Sequence, residues 1–370
     1  MIYILVTIAV LLLAYIAESS DRNNIKIIGI QNKEELNSFS HTLVSKICVV
    51  TIGCILIFVS GFRFWVGTDF GEYYFRADAY YERLPDALHQ LNEPGYPVIV
   101  WCARLFTDQN YGPLLLAALV TLAASLYVIM NNSRYVLLPI MLFVFMGGWT
   151  GSFNGIRQSL AASFIFLGFS GFRDFKILRY FPFVFLGYLF HKSSLVMMIP
   201  FVFSRIRISI LNVIIILGFC FVALRMFDYM SMFSQVVLGD KVEFVKEHKY
   251  FFNEVNRLRI VVGCMPAIHF VTYHFLFNKE AELSQENQFY LFIVILHSAL
   301  SIMTMNSPYM ARVTMYTMPY LALAVPGLIN SYFPQKRQFY SLCYLIFYCI
   351  FYSYEIYNAP SLKNFRFIWD

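Results

Sequence analysis

Charged and hydrogen-bonding side chains in this sequence gather at the edges of long apolar runs, where ionisable groups are costly and tend to be functional. The first group is Arg63-Phe64-Trp65-Val66-Gly67-Thr68-Asp69, followed by Tyr73, Tyr74, Arg76, Tyr80 and Tyr81, and it closes at Glu93-Pro94-Gly95-Tyr96. Gly67-Thr68-Asp69 reads as a turn, with Asp69 available as a base or as the partner of an arginine. The plainer alternative is an aromatic interface belt with a snorkelling arginine. The second group is Asn154-Gly155-Ile156-Arg157-Gln158, which separates two apolar segments. Asn154 is expected to cap the helix that follows. Free backbone N–H groups, the helix dipole and the Arg157 guanidinium would then converge on one spot suited to phosphate. The alternative is an arginine paired with a lipid headgroup or a nearby carboxylate.

The third group, Phe190-His191-Lys192-Ser193-Ser194, interrupts an apolar stretch. His191 can shuttle a proton and Lys192 can neutralise an anion, or the group is simply a polar break between two helices. The fourth is the mixed-charge loop 229–256, read as a solvated, partly helical segment, which runs into Arg257 and Arg259 at the head of the next apolar run. The fifth is Asn306-Ser307-Pro308-Tyr309-Met310-Ala311-Arg312, a turn leading into a helix with an arginine one turn in. It repeats the arrangement around Arg157, and two such helix starts on one face could hold both phosphates of a pyrophosphate. His269, His274 and His297 lie inside apolar runs without ligand spacing and read as hydrogen bonders between helices. No Walker motif, GxGxxG, zinc pattern, GxSxG elbow or DxD motif occurs. An enzyme built from these residues should therefore not use a soluble nucleotide donor, and neither a cofactor nor a metal is required by them.

The elements that must position these groups are set by composition. Hydrophobic residues make up 59% of the 370, aromatics 19% and charged residues 14%, where a soluble domain carries about 25% charge. The mean hydropathy is +0.61. Apolar runs recur along nearly the whole chain, too many for one aqueous core, whereas lipid accepts them if helices satisfy their own backbone. The reading is an all-α, polytopic transmembrane helical bundle of about 10–13 membrane helices, forming a single integral membrane domain over 1–370. Expected spans are 2–17, 43–62, 111–130, 135–152, 156–172, 208–228, 257–278, 288–305, 309–330 and 338–354, with 94–106 a short amphipathic or re-entrant helix. Region 178–204 is either one broken span or two short helices. The N-terminal run 2–16 lacks a basic flank and a good cleavage site, and is read as a retained first span.

The net charge of +6 is scattered over short loops and forms no nucleic-acid stripe. Arg134, then Arg173, Lys176 and Arg179, then Arg205 and Arg207, then Lys336 and Arg337 fall on one side if region 178–204 is two helices. That side is expected to be cytoplasmic, with 63–110 and 229–256 as the larger extracytoplasmic loops. If 178–204 is a single span, everything after it inverts. The seven cysteines are odd in number, lack CxxC and lie mostly in apolar runs, so they read as small hydrophobes.

In order and spacing, Arg63…Gly67-Thr68-Asp69…Tyr73, Glu93-Pro94-Gly95-Tyr96, Asn154-Gly155-Ile156-Arg157-Gln158 and Phe190-His191-Lys192-Ser193 resemble the EpsG family over roughly residues 1–350. That family is similar to the Wzy-type oligosaccharide repeat-unit polymerases of capsule, exopolysaccharide and O-antigen pathways. The resemblance implies a GT-C-like polymerase fold in the bacterial inner (plasma) membrane, with its active face extracytoplasmic. It implies polymerisation of undecaprenyl-pyrophosphate-linked oligosaccharide, with lipid pyrophosphate leaving, and a chain-length regulator and a flippase as protein partners. It assigns Asp69, Arg157 and His191 to the chemistry. Arg63, Glu93, Tyr96, Gln158 and Lys192 are expected at the substrate, with Arg257, Arg259 and Arg312 matching more loosely. Two other classes compete: a lipid-linked oligosaccharide flippase or transporter, and a membrane acyltransferase with His191 as base. Against the first, transporters often carry internal repeats and none is seen here. Against the second stand the arginine-rich surroundings.

Overall fold

The structure, a computed structural model, describes residues 1–28, 40–216, 218, 222, 256–277, 283–303 and 311–370. The loop 229–255, the turn 306–310 and, of the expected span 208–228, residues 217, 219–221 and 223–228 lie outside the described residues. The chain opens with helices α1 (Ile2–Ile28) and α2 (Leu43–Gly61), then strand β1 (Arg63–Phe64). Three short helices follow, α3 (Phe70–Tyr74), α4 (Ala77–Glu82) and α5 (Leu84–His89), and then α6 (Gly95–Arg104). Helices α7 (Tyr111–Asn132) and α8 (Leu137–Phe145) lead through a 3-10 turn (Thr150–Phe153) into α9 (Ile156–Leu167), α10 (Phe169–Arg173) and α11 (Ile177–Phe190). A second 3-10 turn (Lys192–Met197) runs into α12 (Met198–Phe203). Beyond it come α13 (Arg257–Phe277), α14 (Gln285–Met303), a 3-10 turn (Arg312–Tyr316), α15 (Met318–Tyr332), α16 (Arg337–Asn358), α17 (Pro360–Lys363) and strand β2 (Arg366–Phe367).

Among the described residues, 6 helices are long and apolar enough to cross a membrane: Ile2–Asn24, Leu43–Gly61, Tyr111–Asn132, Arg257–Phe277, Gln285–Met303 and Pro334–Asn358. The protein is therefore a helical, multi-pass membrane protein. The expected spans at 135–152 and 156–172 are shorter apolar helices, Leu137–Phe153 and Ile156–Leu167. These segments sit inside the bundle. Every residue of 138–145 is buried, as expected of a helix that is apolar all round. The expected span 309–330 also starts later than its hydropathy suggests, with a 3-10 turn before α15. Outward faces stay apolar: Ile4, Leu5, Ile8 and Leu12 of α1 and Ile346 and Ile350 of α16 are exposed, the pattern a lipid-facing surface needs. The segment 94–106 is the ten-residue α6.

Region 178–204 is two short helices. The rings of Tyr180, near the start of α11, and Phe201, near the end of α12, stack at 5.1 Å, so the chain goes out and returns, reversing at His191. This reversal brings the basic segments to one end of the bundle. Arg205 donates to the Asp174 carbonyl at 2.9 Å, and Gln288 donates to the Ile206 carbonyl at 3.4 Å. Asn287 bonds Ser331, the neighbouring Asn330 accepts from the Tyr135 hydroxyl at 2.7 Å, and Glu18 of α1 accepts from Leu137 N–H at 2.9 Å. At the same end His41 joins three helices: Nδ1 meets Asp21 at 2.7 Å, while Nε2 meets the Met130 and Ser133 carbonyls at 3.0 and 2.9 Å. Inside the bundle, His269 and His297 bond across helices to Tyr344 (3.0 Å) and Thr317 (2.8 Å). His274 does not follow them: its buried Nδ1 has no partner among the described residues.

The opposite end is closed by a feature invisible to hydropathy. The tail returns to pair β2 with β1 in antiparallel register, Arg63 opposite Phe367 and Phe64 opposite Arg366. Ile368 N–H donates to the Phe62 carbonyl at 3.0 Å and Gly67 N–H to the Ser361 carbonyl at 3.0 Å. Phe367 and Trp369 stack at 4.9 Å, and Trp369 reaches Phe58 and Phe62 at the end of α2.

Candidate functional site

At this tail-strapped end, five segments converge. Gly67 has φ 97° and a side chain there would meet the Phe153 carbonyl. Only glycine lets the first loop lie this close to the 150–155 segment. The contact is fixed by Asn154, whose Oδ1 accepts from the Thr68 hydroxyl at 3.0 Å and from its N–H. Asn154 therefore does not cap α9. The N-cap is Gly155, at φ 65°. The carboxylate of Asp69 supplies the capping oxygen from outside the helix, Oδ2 accepting the Gly155 N–H at 2.7 Å. Its other oxygen, Oδ1, accepts from Arg312 at 3.0 Å and shares the single Thr68 hydroxyl proton with Asn154 Oδ1, each oxygen 3.0 Å from that hydroxyl. The anion position expected at the start of α9 is occupied by a side chain of the protein itself.

Arg157, two residues on, points to the other side of the site. Its Nη1 pairs with Glu93 Oε2 at 2.7 Å, and its Nε lies 3.3 Å from the Tyr73 hydroxyl. Burial pushes the Tyr73 phenol above its usual pKa despite the neighbouring Arg157, so it stays protonated and accepts from Nε through its oxygen lone pair. Glu93 sits at φ 53°, a costly conformation for a non-glycine residue that persists only where its surroundings enforce it. Here they do: Glu93 Oε1 accepts the Lys192 N–H at 2.9 Å and faces His191 Nδ1 at 3.9 Å.

His191 Nδ1 accepts the Ser193 N–H at 3.3 Å, which puts the ring proton on Nε2. Burial pushes its pKa below the ordinary histidine value. Glu93 opposes that shift, while Arg157 and Arg312 add to it. The ring is held neutral, with an N–H to donate. Ser193 Oγ bonds His191 Nδ1 at 2.9 Å and Tyr316 at 2.8 Å, and Tyr316 shares its 3-10 turn with Arg312. The circuit closes: Asp69, the head of α9, Arg157, Glu93, His191, Ser193, Tyr316, Arg312 and back to Asp69. Its ionisable side chains remain partly open, Arg157 at 28%, Glu93 at 16%, Arg312 at 34%, Asp69 at 19% and His191 at 24%.

Not every expected site residue joins the ring. Arg63 is 2% exposed. Its Nε donates to the Val66 carbonyl at 3.1 Å and its Nη1 to the Ser60 carbonyl, and its guanidinium lies 4.7 Å from the Phe153 ring. Burial lowers its pKa to about 10, which leaves it charged at neutral pH. This arginine is spent on tying the end of α2 to the loop that carries Asp69, because its side chain is too enclosed to meet a ligand. Tyr96 is fully buried and packs edge-on beneath Tyr73 and Tyr80, at 4.8 and 4.9 Å between ring centroids. Gln158 is buried beside Gly155. Lys192 contributes its backbone N–H, with its side chain exposed. Arg259 pairs with Glu355 at 2.6 Å, joining α13 to α16 rather than the ring. Arg257 stands two residues before Arg259, at the start of α13. Ser193 and Tyr316 in the ring, and Thr68 and Tyr73, which bond its Asp69 and Arg157, are residues that residue type alone did not single out for a role.

A family model described as the EpsG family matches residues 46–368. No curated protein matches the chain, and no solved structure does.

Proposed function

This chain belongs to the EpsG family, a family of Wzy-like polymerases, and on that premise we propose that it joins undecaprenyl-pyrophosphate-linked oligosaccharide repeat units into a surface polysaccharide. In this reading the ring faces the extracytoplasmic side of the bacterial inner membrane and the bundle is a GT-C-like architecture. A hydroxyl oxygen of the acceptor glycan attacks the anomeric carbon of the donor. The bond from that carbon to the phosphate oxygen breaks, lipid pyrophosphate leaves, and the hydroxyl proton passes to a base.

The observation that carries the proposal is the closed ring, in which two guanidiniums are each preset by a carboxylate: Arg157 by Glu93 at 2.7 Å and Arg312 by Asp69 at 3.0 Å. At rest the two arginines and two carboxylates balance. An arriving pyrophosphate exchanges with the carboxylates for the guanidinium forks, which suit phosphate oxygens. In that exchange Asp69 gives up Arg312 and becomes available to take the acceptor proton. Charge building on the leaving pyrophosphate then falls on guanidiniums already held in place, the arrangement that lowers a barrier most. His191 Nε2–H adds a neutral donor to the same oxygens. A hydroxyl proton taken by Asp69 and a hydrogen bond given by His191 divide the two roles between a carboxylate and an imidazole. Exposed aromatic residues of the 63–110 segment, Trp65, Phe75 and Tyr81, offer faces on which sugars stack.

The test is reconstitution. Purified protein in vesicles receives undecaprenyl-pyrophosphate repeat unit and no nucleotide. A ladder of longer lipid-linked glycans is expected. Substrate crossing the bilayer without lengthening would turn the assignment towards a flippase, and acyl transfer to the glycan would turn it towards an acyltransferase.

A further inference from the structure

The end of the bundle away from the ring holds a cavity of ≈ 180 Å³ between α1, the start of α8, α15 and the start of α16. Its polar side is strongly basic. Arg337 lies 4.0 Å from the centre of the Tyr135 ring and Arg134 lies 4.8 Å from it, while Arg22 of α1 lines the same space. Among the described residues, one carboxylate, Glu18, stands against these three guanidiniums. Its Oε2 is already committed to the Val136 and Leu137 N–H groups at 3.3 and 2.9 Å. Its Oε1 is paired with Arg22 and leaves Arg337 at 3.9 Å, a poor pair for a side chain only 20% exposed. The site has more positive charge than its own acid answers. Gln338 and Ser341, on the same wall, add groups that can donate to an anion.

The other side of the cavity is apolar, formed by Leu138, Pro326, Leu342 and Leu345. It continues directly onto the outer face of α16, where Leu342, Ile346 and Ile350 are 55%, 52% and 66% exposed. A free anion would use the arginines and leave this track unused. A molecule with a phosphate at one end and a hydrocarbon chain at the other uses both. Basic pockets between membrane helices, on the side where positive loops collect, suit such headgroups. We propose that this cavity binds one anionic phospholipid, its phosphodiester held by Arg337 and Arg22 and one acyl chain lying along Leu342, Ile346 and Ile350. The inference is independent of the reaction assigned to the ring, which lies at the other end of the bundle.

Native mass spectrometry of the delipidated full chain in detergent tests this, with phosphatidylglycerol, phosphatidylcholine and inorganic phosphate as probes. One retained phosphatidylglycerol is expected, bound at least about fivefold more tightly than phosphatidylcholine, the scale of one arginine acting on a headgroup charge. Arg337→Gln and Arg22→Gln should each weaken phosphatidylglycerol by about fivefold and narrow its margin over phosphatidylcholine, whose headgroup carries no net charge. Equal retention of the two lipids by the wild-type chain overturns the proposal without any variant having to fold. So does unchanged phosphatidylglycerol binding in both variants. Displacement of phosphatidylglycerol by millimolar inorganic phosphate overturns the lipid assignment in favour of a soluble anion.

Discussion

Arg157 carries two duties that a lysine cannot combine. Its Nη1 pairs with Glu93 while its Nε meets Tyr73, so the planar fork fixes direction as well as charge. Arg157→Lys keeps the charge and loses the fork. Turnover of lipid-linked repeat unit should fall on the order of 10²-fold, with the chain still inserted and folded. Near-normal turnover in that variant would remove Arg157 from the pyrophosphate. His191 makes a second prediction. Its lowered pKa keeps the ring neutral at physiological pH, and protonation would turn Nδ1 from acceptor to donor against the Ser193 N–H. Activity should therefore hold steady near neutrality and fall only once the pH is well below the ordinary histidine value. His191→Gln, of lower activity overall, should lose that acid limb. A wild-type profile that stays flat across the range would show that the neutral ring is not needed.

At the scale of elements, two straps decide whether the site end and the basic end hold together. The tail pairs β2 with β1 and so steadies the loop that carries Thr68 and Asp69. Ile368→Pro removes the N–H given to the Phe62 carbonyl. The paired strands should part while the long helices remain, and turnover should fall roughly 10–10²-fold because the reacting groups are misplaced by a fraction of their reach. Unchanged turnover, with tail pairing lost by proteolytic sensitivity, would make the strap irrelevant to the site. At the other end, His41 meets acceptors on both ring nitrogens, Asp21 on one and two backbone carbonyls on the other. Burial pushes its pKa down, but the bonds and charge of Asp21 and the two carbonyls outweigh that and leave it raised. A raised folded-state pKa contributes stability that is fully present below the ordinary histidine value and is lost as pH rises through the folded value. Thermal unfolding in detergent between about pH 6 and pH 9 should show this decline, and His41→Ala should flatten it.

For the whole molecule, the decisive feature is the reversal at His191. Because α11 and α12 run out and back, Ser193 belongs to the end that carries Asp69, and the segments with Arg134 and Lys336 belong to the other. Cysteines introduced at Thr68 and Ser193 should react with an impermeant thiol reagent from the same side of the membrane, and cysteines at Ser133 and Gln335 from the opposite side. Labelling of Thr68 and Ser193 from different sides would contradict the hairpin. The same grouping puts the four basic segments together, as a positive-inside bias requires, and separates the basic cavity from the ring by the thickness of the bundle.

Composition alone sets the solvent and the class of the fold, because 59% hydrophobic and 14% charged residues leave only a bilayer as a home for so many apolar runs. The sequence also marked Asp69, Glu93, Arg157, His191 and Arg312, since charge beside apolar runs stands out in composition and in motif order. It left open whether 178–204 crosses once or turns back, because hydropathy measures what a segment is made of and not where its partner lies. The tertiary structure decided that through the Tyr180–Phe201 stack. It also separated residues of one chemical type into different work. Arg157 and Arg312 are paired at an open ring, while Arg63 is enclosed and spent on backbone carbonyls, a distinction that depends on burial by elements distant in sequence. Asn154 gave way to Asp69 at the head of α9 for the same reason: a cap is usually local, and this one comes from a loop 86 residues away.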